Sequence, residues 1–195
     1  PIVTLITYIT YLVFNLFGIK IEYKKTIFTR EEVKHIIKES GETGVLADGE
    51  HKLLHRVFEL NDKFAKEIMV PKDQIVAINA DMSSDDIVRI ITEEGHTRYP
   101  VYRHSIDNVI GIIHSKAIIN MLINNPLFVL EDLMMEPYFV PEDKEISKIL
   151  AEFQQKGLHV AIVKDTQGAV SGLIQIKDIL KVIFGELTEK TIPDL

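Results

Sequence analysis

No cysteine occurs in the 195 residues, which removes disulfides and thiolate metal sites and is compatible with a reducing compartment. Positive charge is also short: 22 Lys and Arg stand against 29 Asp and Glu, a formal net charge of −7. A grip on nucleic acid normally shows as a basic face, so nucleic acid is not an expected partner. The strings that carry phosphate cradles and acyl transfer are missing too. There is no P-loop, no Gly-x-Gly-x-x-Gly and no Gly-x-Ser-x-Gly. With no paired acid and base and no activated nucleophile, the chain does not read as an enzyme.

Charge of either sign is missing from Pro1 to Ile19. A helix of that length matches the ~30 Å hydrocarbon thickness of a bilayer. Lys20, Lys24, Lys25 and Arg30 follow it, the flank expected on the cytoplasmic side of a cell membrane. Thr4, Thr7 and Thr10 put a mildly polar stripe on one helix face, and Tyr8, Tyr11 and Phe17 suit a headgroup boundary. Spanning the membrane and lying along it both remain open. Because the chain opens on Pro1, it reads as part of a longer protein.

What is present, after a basic stretch, is a helical adaptor and then one pattern written twice. Thr29 with Glu32 three places on has the form of a capping box, and predicts a helix carrying Val33, Ile36 and Ile37 and stopping near Ser40-Gly41. A second helix is predicted from Ala47 to Leu60. Ile68–Leu122 and Leu133–Ile183 then repeat: a β-rich lead-in, an amphipathic helix ended by glycine, two apolar strands and another helix. Gly95 answers to Gly157, Gly111 to Gly172 and Ala117 to Asp178. In the first copy the strands are predicted at Gln74–Asn79, Tyr99–Arg103 and Val109–Ile113, with a turn over His104–Asn108. In the second they are His159–Lys164 and Ala169–Ile174 around Asp165–Gly168. The strands are apolar almost throughout, as expected when both sheet faces are covered. Each α/β (α+β) unit, β-α-β-β-α, therefore needs the other to bury its sheet, and two copies imply a pair packed by pseudo-symmetry.

The residues Glu94–Tyr102, Asp107–His114 and Gly172–Leu180 resemble a pair of CBS domains, a Bateman module. Glu59-Leu60 with Glu67–Pro71, and Gly185–Leu187, resemble more narrowly the CorC/CNNM family, membrane proteins with a DUF21 transmembrane domain implicated in magnesium and other divalent-cation transport. The resemblance implies the end of a membrane or juxtamembrane helix at 1–20, a helical linker at 21–66, CBS units at 67–125 and 126–187, and a tail at 188–195. It also implies a homodimer formed through the CBS pair and an adenine nucleotide, ATP or AMP with magnesium carried by the nucleotide, between the units. The alternative is a ligand-free dimerisation scaffold of the same membrane protein.

On that resemblance, Asp178 would accept the ribose hydroxyls and Arg98 would face the polyphosphate. Backbone at His159–Ala161 and Tyr138–Val140 (Tyr138, Val140, His159, Ala161) would hold the adenine. Gln175 stands where a small hydroxyl is expected, and Ala117 leaves the mirror-related site without its aspartate. Asp178 serves equally as a helix cap, and Arg98 as the partner of a structural carboxylate, so both pairs of roles stand open. His51 and His55, one turn apart with Glu59 beyond, have metal-ligand spacing but lack a third strong ligand in sequence, and read as a solvated face. Phe58, Phe64, Phe153 and Phe184 read as core.

Overall fold

The computed structural model describes residues 28–124 and 129–185; the predicted membrane segment 1–20 and the tail 188–195 lie outside them. Among the described residues, no helix is long and apolar enough to cross a membrane.

The capping box forms as predicted. The Thr29 hydroxyl accepts from the Glu32 N–H at 3.3 Å, and Glu32 Oε2 accepts from the Thr29 N–H at 2.7 Å. Helix α1 (Arg30–Glu42) then runs through Ser40-Gly41, where the sequence predicts its stop. The reason is close packing: a Cβ on Gly41 would lie 2.5 Å from Cδ2 of His51, on helix α2 (Asp48–Leu60). Arg30 Nη2 and Lys34 Nζ, at 3.1 and 3.0 Å from Asp62, tie the start of α1 to the chain beyond α2. The adaptor is thus a two-helix hairpin.

Beyond it the two units exchange their lead-ins. Helix α3 (Ala65–Ile68) and strand β1 (Val70–Pro71) precede the first unit in sequence but pack on the second. Ala65 N–H donates to Lys144 O at 2.9 Å and Lys66 N–H to Glu142 O at 3.0 Å. Strand β1 pairs antiparallel with β7 (Val170–Gln175), Val70 opposite Leu173 and Pro71 opposite Gly172. The reciprocal exchange is made by the segment after the first unit. Leu130 lies in the first core, and Met135 bridges to Ile112, with N–H···O distances of 2.9 and 2.8 Å. Gly111 and Gly172 make both crossings possible. A Cβ on Gly111 would meet Met134 Sδ at 2.6 Å, and one on Gly172 would meet Met69 Sδ at 2.5 Å and Val70 O at 2.7 Å.

The first unit's sheet has the order β2 (Ile78–Asn79), β3 (Arg98–Arg103), β4 (Ser105–His114), covered by α4 (Ser84–Glu94) and α5 (Ser115–Asn124). The second has β1, β7, β6 (Val160–Lys164), β5 (Phe139–Pro141), with α6 (Ile146–Lys156) and α7 (Ile176–Phe184). Two predictions are corrected here. Gln74–Asn79 is strand only at Ile78–Asn79, because Lys72–Gln74 forms a 3-10 turn. Strand β4 begins at Ser105 rather than after Asn108: His104 takes the turn alone at φ 67°, and the pairing shifts register between Val101 and Tyr102 and between Tyr102 and Arg103. A histidine tolerates this left-handed backbone better than a β-branched residue does.

Each unit has its own core, around Tyr99 and Ile113 in the first and Phe153 and Ile174 in the second. A third cluster joins them: Val109 and Ile112 of β4 meet Val160, Ile162, Val170 and Leu173. The apolar strands are covered on both faces, as their composition requires. Of the four phenylalanines read as core, only Phe153 is fully buried. Phe58 is half-buried, while Phe64, at the cap of α3, and Phe184, the last residue of α7, are 38% and 52% exposed.

Charged contacts pin the seam and the second unit. Asp107 Oδ1 accepts from Lys72 Nζ at 2.6 Å and from the Val170 N–H at 3.0 Å, which holds its carboxyl below the usual range. Burial pushes the Glu152 carboxyl up, but Lys144 Nζ at 2.6 and 2.7 Å and the Tyr138 hydroxyl at 2.8 Å outweigh it and bring it down. Carboxylates depressed on folding contribute stability above their unfolded values and lose it as pH falls through the folded ones. The melting temperature should therefore be level only above about pH 6.5, fall as acid begins to charge the half-buried His114, whose pKa burial lowers, and fall most steeply below about pH 4. Calorimetry across that range checks it, and a rise on acidification would contradict it.

Candidate functional site

The pseudo-twofold brings matching segments of the two units face to face. After α4, Gly95 closes the helix in the left-handed conformation at φ 64°, and Gly157 does the same after α6 at φ 66°. The chain that follows each glycine is tied to the start of the unit's last helix. Ser115 N–H donates to Thr97 O at 2.9 Å, and Ile176 N–H to His159 O at 3.0 Å. Between these segments lies a cleft of about 230 Å³, lined by Gly95–Arg98 of the first unit and by His159, Val160 and Gln175–Lys177 of the second. A smaller extension of about 70 Å³ continues past Arg98 and Pro100 to Gln74 and Leu173.

The lining is rigid and one-signed. The buried Tyr99 hydroxyl accepts from the His96 N–H at 2.8 Å, fixing the Gly95–Arg98 loop from below. Burial, with Glu94 nearby, pushes the Tyr99 hydroxyl above its usual value despite that contact, so it stays a neutral phenol. Arg98 and Lys177 enter the cleft from opposite units, and neither side chain has a hydrogen bond or ion pair among the described residues. His96 and His159 join them, and no carboxylate lines either part of the cleft. Unpaired cations converging without an acid make an anion site, and a planar guanidinium suits a pair of phosphate oxygens. The donor set present therefore fits a nucleotide's phosphate chain.

Of the predicted site residues, Arg98, His159 and Gln175 are brought together here. The structural carboxylate open to Arg98 in sequence is not found among the described residues. Tyr138, Val140, Ala161 and Asp178 do not line the cleft. Val140 and Ala161 are 1% and 0% exposed, so their side chains belong to the second core. Tyr138 donates its hydroxyl to Glu152 and carries Lys156 Nζ 4.2 Å from its ring centroid. Asp178 Oδ2 accepts from the Gln175 N–H at 3.0 Å, so Asp178 does cap its helix; its other oxygen makes no such bond. Sequence reading missed His96 and Lys177. Lys177 had a usable cue, standing beside Asp178 at a helix start. His96 had one in the glycine that aims the following loop at the other unit.

A larger cavity, about 590 Å³, lies between α1 and α2. Its lining mixes both signs, Lys34 paired with Asp62 and Glu59 3.4 Å from His55, so it lacks the single-signed character of the cleft. His51 packs over Gly41, half-buried rather than solvated as predicted, and the described residues hold no group of three or more metal-ligating side chains.

Comparison with known proteins covers both units. The family model of the CBS domain matches residues 65–124 and 130–185. The magnesium and cobalt efflux protein CorC of Pasteurella multocida is 34% identical over 83% of this chain and 54% of its own length. The chain spans about half the length of the curated relatives it matches. A solved CBS domain of a bacterial CNNM/CorC family Mg2+ transporter is 30% identical, covers 84% of this chain and all of its own, and superposes with TM-score 0.78. The same kind of domain solved in complex with ATP is 31% identical over 71% of this chain and 99% of its own, TM-score 0.67. A CBS-domain pair with bound AMP from Klebsiella pneumoniae is 33% identical over 63% and 98%, TM-score 0.57.

Proposed function

Since this chain belongs to the CBS-domain family, as a CBS pair of the CNNM/CorC kind, we propose that it is the regulatory module of a membrane divalent-cation transporter and senses an adenine nucleotide between its units. The observation that carries this reading is the convergence of Arg98 and Lys177, both unpaired, on a cleft without a carboxylate. The phosphates lie among Arg98, Lys177 and the two histidines. The ribose hydroxyls reach the free oxygen of Asp178, and backbone at His159–Ala161 and Tyr138–Val140 flanks the base. Magnesium arrives with the nucleotide.

Helix α7 gives the signal a path. Its first turn borders the cleft, and its last approaches the adaptor, where Arg56 of α2 lies so close to Gly185 that a Cβ there would be 2.5 Å from Nη1. A nucleotide that favours one packing of the units shifts α7, and with it the adaptor and the membrane part on whose cytoplasmic side the module sits. Such a shift requires different affinity for the two packings. Exposed Ile119 and Leu180, at equivalent positions on α5 and α7 and 46% and 37% accessible, suit the apolar contact of a homodimer.

Titration calorimetry of the chain with ATP, with and without magnesium, and with AMP tests the sensor. We expect saturable, micromolar binding that weakens about tenfold in Asp178→Asn, which keeps the helix cap and removes the charge facing the ribose. One observation favours a second reading, a ligand-free dimerisation scaffold: Asp178 already has a partner in the Gln175 N–H. A dimer that gives no heat at millimolar nucleotide would establish the scaffold in place of the sensor.

A further inference from the structure

The two helix starts that flank the cleft are chemically unlike, although the fold makes them equivalent. At the start of α7 stands Asp178, an acceptor. The equivalent position at the start of α5 is Ala117, and its neighbours His114, Ser115 and Lys116 include no carboxylate. His114 ends β4 directly opposite Arg98 in the strand register. Its Nδ1 accepts the Lys116 N–H at 3.1 Å, which leaves Nε2 as the ring nitrogen that bears hydrogen. Burial, with the charges of Arg98, Lys116 and His159, holds His114 below its ordinary pKa, so the ring is neutral at physiological pH. It is therefore a fixed, half-buried N–H donor in a field made positive from three sides, by β3, by α5 and by the segment before β6.

We propose that His114 reads the length of the phosphate chain, donating its Nε2–H to the terminal phosphoryl group of a nucleoside triphosphate whose ribose lies at Asp178. The inference rests on the nucleotide reading above and adds a direction to it. The helix start that carries the acceptor takes the sugar, the one that carries His114 takes the far phosphates, and a monophosphate does not reach across. Ala117 is then no defect of a second nucleotide site; the absence of a carboxylate is what admits the anion there.

Titration calorimetry with ATP, ADP and AMP on the whole chain, its His114→Ala variant and its His114→Gln variant distinguishes the possibilities. His114→Ala should weaken ATP about tenfold and leave AMP within about twofold. His114→Gln, whose amide places an N–H near the imidazole Nε2, should restore most of the ATP affinity. Should His114→Ala fail to fold, His114→Phe keeps the ring, removes both nitrogens and carries the same comparison. Equal weakening of ATP and AMP, or none of either, would overturn the role of His114 while the nucleotide reading stands. An unmodified chain that binds none of the three overturns both.

Discussion

Gly172→Val should lower the melting temperature by about 6–12 °C, an overpacking cost of about 3 kcal/mol in a chain of this size. The branched side chain would enter space held by Met69 and by the carbonyl of Val70, where even one added carbon comes within 2.5 and 2.7 Å. A sulfur at the end of a flexible side chain can move; a backbone carbonyl held in the β1–β7 ladder cannot move without giving up the pairing. Gly157→Ala is the proper control. Its φ of 66° disfavours a side chain, but the space around it is open, so only about 1 kcal/mol is expected. If Gly172→Val melts like the unmodified chain, β1 does not lie against β7.

Arg98→Ala should weaken ATP about 10- to 100-fold, the loss expected for a charge-assisted contact to phosphate, while the melting temperature stays within about 1 °C. The second half of the expectation follows from the structure. Arg98 has no ion pair to lose among the described residues, and the half-buried His114 opposite it is neutral at physiological pH. Binding and stability thus separate at this residue. AMP, with its single phosphate, should suffer less than ATP. Calorimetric titration with both nucleotides, beside a thermal melt, checks the pair. A large drop in melting temperature would mean that the guanidinium supports the fold, and an unchanged ATP affinity would remove it from the site.

The repeat, its helices and the two helix-ending glycines were legible because each is a local matter. Thr29 and Glu32 satisfy backbone groups three residues apart, and Gly95 and Gly157 relieve a strain at their own positions. The exchange of lead-ins was not legible. Val70-Pro71 looks the same whether it joins the sheet that follows it in sequence or a strand a hundred residues on, and only the packing of Met69 over Gly172 decides. Gly41 misled for a similar reason: a glycine that lets helices approach and one that ends a helix are one letter. In the cleft, Arg98 and His159 were legible through the resemblance, but Lys177 and His114 became candidates only once strand register and charge were known. Tyr138 shows the reverse case, an aromatic near the right place whose hydroxyl and ring face are already engaged by Glu152 and Lys156.

The crossed lead-ins also settle what counts as one piece of this molecule. A break in the chain near residue 129 would divide the sequence but not the structure. The first fragment would carry off β1, which belongs to the second sheet, and the other would carry off Met134 and Met135, which lie over the first. Neither half is whole, and each holds the part that completes its neighbour. The smallest self-sufficient body here is the pair, joined as two hands are when their fingers interlock.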